Sequence, residues 1–203
     1  LDGPVLAKEG ITLGRGVGIP PENHGISLIG GREITTSGYY PTVRVFQSAE
    51  PMPEIPALDL AAMKGKYETK IANAVLTDAK LAGRSILRDG SLTIIGGTFG
   101  DVSIFVAGDL RLMGAQQVDS QGDTPVFIVE KDLIANFSGA DIRGVIYVGG
   151  KATIRGQSVI TGTIIADEIY IADGVTVRSF DRDTARKRPT PSFFKRDVSL
   201  SVP

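Results

Sequence analysis

The sequence predicts an all-β fold: a right-handed parallel β-solenoid (β-helix) with one short α-helix and a capping C-terminal segment. Three observations lead there. Short β-branched and aliphatic runs recur between residues 84 and 180: Leu92-Thr93-Ile94-Ile95, Val102-Ser103-Ile104-Phe105-Val106, Val126-Phe127-Ile128-Val129, Val145-Ile146-Tyr147-Val148 and Thr163-Ile164-Ile165. Polar or glycine turns punctuate them at 89, 107, 130, 149 and 166, in steps of 18, 23, 19 and 17 residues. Finally, the chain holds 25 glycines and only 6% aromatics, which suits many turns and short strands.

A degenerate period near 18 residues is the mark of a repeat architecture with one coil per repeat. A second apolar segment follows each turn: Leu110-Arg111-Leu112, Leu133-Ile134-Ala135, Ala152-Thr153-Ile154 and Ile169-Tyr170-Ile171. Alternate residues there are apolar, so one side of each strand faces inward. A single coil cannot bury that side. Stacking buries it against the next coil, about 4.8 Å away. Parallel crossovers favour the right-handed coil.

Taken in order, residues 1–58 hold strand-like pieces expected to pack on the solenoid: Val5-Leu6-Ala7, Ile11-Thr12-Leu13, Ile26-Ser27-Leu28-Ile29 and Val43-Arg44-Val45-Phe46. They end in a linker with Pro51, Pro53 and Pro56. Residues 59–82 form a short helix and an entry segment. Asp59 is the N-cap, and Leu60, Met63, Tyr67 and Ile71 make one helical face. Gly65 weakens that helix by about 1 kcal/mol against alanine. The helix is expected to cover a face or an end of the stack.

Residues 83–180 are the solenoid coils. The runs at 92–95, 102–106, 126–129, 145–148 and 163–165 are expected to stack as parallel neighbours. The step of 23 is assigned to a polar loop over 116–123. Residues 181–203 form a basic cap or edge strand. From Arg178 to Asp197 the segment carries Arg178, Arg182, Arg186, Lys187, Arg188, Lys195 and Arg196 against Asp181, Asp183 and Asp197. A charged end disfavours end-to-end stacking of coils, because burying unpaired charges costs several kcal/mol.

The chain is 203 residues long with 42% hydrophobic residues, enough for one packed domain. A net charge of −1 gives no general attraction to nucleic acid, so no nucleic-acid partner is expected. The absence of cysteine excludes disulfides, thiolate metal sites and a cysteine nucleophile. No apolar run reaches the roughly 20 residues of a membrane span. The chain opens on Leu1, and a segment ahead of it is expected to have been removed.

Candidate chemistry is sparse. His24 is the single histidine, and no partner for a general base can be named for it. Asp119, Gln121 and Asp123 alternate around Gly122 as calcium ligands can, but no glutamate follows at the bidentate position. Gly14, Gly16 and Gly18 are followed by Ile19-Pro20-Pro21, which starts no phosphate-binding helix. Asp101, Asp109, Asp132, Asp141 and Asp167 sit mostly in turns, where solubility and edge protection explain them. Phe193 and Phe194 form no stacking platform beside the basic residues. No catalytic, cofactor-binding or metal residue is therefore assigned, no cofactor is expected, and the protein is not expected to be an enzyme.

With the coils laid out, the chain resembles the β-solenoid domains of PilX-like type IV pilus-associated and related bacterial surface proteins. The resemblance lies in Pro53-Glu54-Ile55-Pro56-Ala57-Leu58-Asp59-Leu60 ahead of the helix. It extends to the phrases VSIFVAGDLRLMG, ADIRGVIYVGGKATIRG and VITGTIIADEIYIADGVTV. It implies an exported, extracellular or cell-surface bacterial module without catalytic residues, acting in adhesion or assembly. Its implied partners are other surface or pilus proteins, with glycan as a further candidate, and a preceding N-terminal helix as the only membrane contact. The coil phrases are also similar to those of bactofilins, intracellular β-solenoid polymers. The long N-terminal part, the proline-rich linker and the charged C-terminal end depart from that pattern. A carbohydrate-active β-helix enzyme is the alternative of another class, but the carboxylate pair it needs cannot be picked out.

Overall fold

The computed structural model describes residues 5–13, 28–30, 33–36, 59–67, 69–120, 125–172 and 174–178. In chain order the elements are β1 (Val5–Leu13), β2 (Leu28–Gly30), β3 (Glu33–Thr36), α1 (Leu60–Lys64), β4 (Thr69–Lys70), β5 (Val75–Ala82), β6 (Ser85–Arg88), β7 (Leu92–Gly100), β8 (Ser103–Val106), β9 (Leu110–Asp119), β10 (Phe127–Val129), β11 (Leu133–Val148), β12 (Lys151–Ile171) and β13 (Val175–Arg178). All the strands join one 13-stranded sheet, and every pairing in it is parallel. Among the described residues the result is a β-solenoid of about six turns with a single short helix.

Each coil contributes to three faces. Face a stacks β4, β6, β8, β10, the end of β11, the middle of β12, the start of β1, and β2. Face b stacks 75–77, 92–95, 110–113, 133–137, 152–156, 169–171, 10–13 and 33–36. Face c stacks 79–82, 97–100, 116–119, 140–143, 158–161 and 175–178.

The inward columns build one core. Ile104, Val106, Leu112, Val129, Ile146, Val148, Ile154, Ile164 and Ile171 are all buried within it. The corner between faces b and c sets the period. Asp78, Gly96, Gly114, Gly156 and Gly174 have φ of 47°, 63°, 80°, 82° and 84° there, and 78, 96 and 114, like 156 and 174, are one repeat apart. A Cβ at Gly156 would run into the Phe137 carbonyl of the coil beside it, so both the turn and the close approach demand glycine.

Several sequence expectations need correction. Residues 92–95 lie on face b, not with 102–106; Ile86 of β6 takes that place on face a, paired with Ile104. The turn at Asp89 precedes 92–95, whereas the other turns follow their runs, so the first run was one face out of phase. The solenoid begins before residue 83, because β4 and β5 already pair with β6 and β7. The N-terminal strands do not merely pack on the coils: β1 pairs with β12 in register and extends faces a and b. Residues 116–119 are strand, not loop. Gln116 and Val118 point inward and are buried, while Gln117 and Asp119 are exposed. The helix stops at Lys64, so Tyr67 follows it in the chain and Ile71 packs against the interior core.

Candidate interaction surface

The recurrent acids at the corner between faces a and b have a structural task. Ser91 Oγ accepts from Asp109 N–H at 3.1 Å. Asp109 Oδ1 accepts from Asp132 N–H at 3.4 Å, and Asp132 Oδ1 from Lys151 N–H at 2.8 Å. Each side chain thus caps a backbone donor of the next coil, where the turn leaves it without a ladder partner. Asp167 sits at the same corner, its N–H bound to the Gly150 carbonyl. Asp101 adopts φ 53° at the corner between faces c and a, and Asp141 is exposed on face c. Asp109 and Asp132 are brought together as a capping ladder for backbone donors.

Face a is apolar on both sides. Its inward residues join the core. Its outward residues Leu87, Phe105 and Ile128 form a second cluster with Met63 and Tyr67, flanked by Leu60, Ala107 and Tyr147. Asp59 caps the helix that covers this column, its Oδ1 accepting from Ala62 N–H at 3.1 Å. Tyr67 stacks at a tilt on Phe105 with ring centroids 5.5 Å apart. The Tyr67 hydroxyl lies 2.6 Å from Ser103 Oγ, which donates to the Pro125 carbonyl at 2.6 Å. Since Ser103 spends its proton on Pro125, Tyr67 is the donor to Ser103. Burial raises the Tyr67 pKa above its ordinary value, against the opposing effect of Ser103. Lys64 pairs with Asp89 at 2.6 Å and ties the helix end to the coil corner.

Face b is sealed on its inner side only. Its outward columns run Val75, Thr93, Arg111, Ile134, Thr153, Tyr170 and Thr77, Ile95, Met113, Asn136, Arg155. Val75, Ile95, Met113 and Ile134 are 53%, 39%, 43% and 46% exposed. Ile95 pairs directly with Met113 in one column, while Val75 and Ile134 lie in the neighbouring column with Thr93 and Arg111 between them, so the exposed apolar residues span four coils in two adjacent columns. Arg155 lies over the Tyr170 ring, 5.3 Å from its centroid, farther along the same face.

Face c is polar outside. Lys80, Thr98, Gln117 and Asp141 are in register along it. Gly139 sits between two shallow grooves of about 320 and 380 Å³ lined by these and neighbouring residues. Behind it, Gln116 donates to the Ile94 carbonyl at 3.3 Å, while its buried Oε1 has no partner.

The remaining sequence candidates fall differently. Asp119 is exposed at the end of β9, but Gln121, Gly122 and Asp123 lie outside the described residues. So do His24, Gly14, Gly16, Gly18, Phe193, Phe194, the basic residues beyond Arg178 and the cap or edge strand expected over 181–203. Among the described residues, no group of three His, Asp or Glu side chains could hold a metal. No helix among them is long and apolar enough to cross a membrane. Sequence reasoning missed the exposed apolar group of face b. Its only signal was an aliphatic residue at the outward position of an alternating strand, as at Ile134 in Leu133-Ile134-Ala135.

Residues 77–186 match the model of a family described as a domain of unknown function, DUF7305, which is more than half of the chain. The chain belongs to that family. The match runs from the first coil past β13 and leaves the N-terminal strands and α1 outside it. No curated protein and no solved structure matches the chain significantly.

Proposed function

We propose that this DUF7305 chain is a non-catalytic display module, exported to the bacterial surface or a pilus, that acts in adhesion or assembly through protein contacts on face b. The observation that carries this reading is the exposed apolar group Val75, Ile95, Met113 and Ile134 on a stack whose other apolar columns are covered. Exposed apolar residues grouped on one face mark interaction sites more often than isolated ones do. The flanking Arg111, Arg155 and Tyr170 supply the residue types that anchor protein interfaces. The capping work of Asp109 and Asp132 also supports a non-catalytic reading, since their carboxylates serve the backbone.

The test is a surface variant. Ile95→Lys combined with Met113→Lys should leave the melting temperature within a few degrees of the parent. In intact bacteria it should abolish adherence, or incorporation of the protein into surface assemblies. Protease shaving of those cells should remove the parent protein. Unchanged adherence and assembly, or full protection from shaving, would overturn the proposal.

A further inference from the structure

The coil that ends the stack is built from two distant parts of the chain. Face c closes with β13, whose residues 175–178 pair with 158–161. The next place on face a belongs to whatever follows Arg178 in a continuous coil. Among the described residues that place is held by β1, with Val5, Leu6 and Ala7 against Ile164, Ile165 and Ala166. The register shifts once, and Gly10 to Leu13 then lie against Glu168 to Ile171 on face b. Ile11 is 1% exposed and belongs to the core, so the strand plugs the interior as well as the edge. β2 and β3 stack on β1 in turn, as a second layer of the same lid.

We propose that β1 is a donor strand, and that the β12 edge over 163–171 is an acceptor site for the same strand of a second copy of this chain. Two features carry this. The lid is not continuous with the coil it completes, so it can leave without unwinding any coil. The acceptor edge is identical on every copy, and an exchanged strand restores the same ladder and the same buried Ile11, which makes such swaps low in cost. The donated strand leaves at the capped end, so copies link through their ends while face b stays free. The inference rests on strand pairing alone and can fail while the face b reading stands.

Thr12 and Tyr170 are in register on the outward side of this ladder, and the chain has no native cysteine. A Thr12→Cys copy is mixed with a mass-tagged Tyr170→Cys copy and oxidised gently. Exchange should give a mixed disulfide dimer, joined between positions 12 and 170 by peptide mass spectrometry. Its yield should rise several-fold with protein concentration. The Thr12→Cys, Tyr170→Cys double variant should close the bond within a monomer when dilute and between copies when concentrated. If the double variant closes only within monomers and the mixture gives no joined pair, the strand stays at home and the proposal falls. If the double variant does not close at all, β1 is not on this edge and the proposal falls with it.

Discussion

Faces a and b are made by the same coils, a few residues apart, yet they meet solvent differently. On face a the outward column reads Leu87, Phe105, Ile128, and α1 with Tyr67 lies over it. On face b the outward columns mix Thr93, Arg111, Asn136 and Arg155 with Ile95, Met113 and Ile134, and solvent reaches them. The contrast shows in the strands. β8 and β10 are buried at every position, whereas β9 and the first half of β11 alternate buried and exposed. A sheet layer with two apolar sides must be covered twice, here by the core and by the helix. A layer with one apolar side is complete once it closes the core, and its outer side is free for recognition.

Substitutions can break this contrast, and the largest effect belongs to the shared interior. Val148, on the inner side of face a, is 1% exposed. Val148→Asp would bury an unpaired carboxylate, with an expected loss above about 4 kcal/mol and failure to fold at ordinary temperature. Circular dichroism and solubility of the purified variant check this. The outer side of face a should come next. Phe105→Ala removes the ring beneath Tyr67 and should cost about 3–5 kcal/mol, read from denaturant midpoints. A loss below about 1 kcal/mol would mean the helix side is not a true second core.

Legibility followed the same division. The parallel solenoid, its core residues and the Asp59 cap could be read because aliphatic residues repeat at inward positions and a capping aspartate precedes the helix. Face c could not. Its inward positions hold Gly97, Gln116, Ala140 and Ser158, which break the aliphatic pattern although the backbone is strand throughout. The unbroken apolar runs at 102–106 and 126–129 were legible as strands, but nothing local marks both of their sides as covered. That depends on where α1 packs. The β1 pairing was beyond reach for a similar reason: it joins residues more than 150 positions apart, with no spacing rule between them. The exposed apolar group of face b appeared only as single aliphatic residues at outward positions, which become a surface once the register is known.

Smaller effects sharpen the contrast. Tyr67→Phe keeps the packing on Phe105 but removes the hydroxyl that donates to Ser103. Ser103 still donates to Pro125, so about 1 kcal/mol should be lost. On face b, Ile134→Asn replaces a residue that is 46% exposed, and the change in stability should stay within about 0.5 kcal/mol. Equal losses for Phe105→Ala and Ile134→Asn would erase the distinction between the faces.

The smallest expected effect is the pH response of the pair that pins the helix to face a. The hydrogen bond and charge of Lys64 hold Asp89 below the ordinary carboxylate range, and the hydrogen bond to Asp89 raises Lys64. A lowered carboxylate pKa adds stability above its unfolded value, which is lost as pH falls through the folded one. A raised lysine pKa adds stability below its unfolded value, which is lost as pH rises through the folded one. The pair therefore supports the helix on a plateau between those limits. It is exposed, with side chains 41% and 52% accessible, so the plateau should be shallow and flattened by salt. Asp89→Asn should remove both slopes where they arise from this pair, while leaving the Phe105→Ala loss unchanged. Melting temperatures of the parent and Asp89→Asn proteins across acid and alkaline pH, at low and high salt, test this. Parallel pH profiles for the two proteins would show that the ion pair does not help hold α1 on face a, leaving that work to Met63, Tyr67 and the apolar column beneath them.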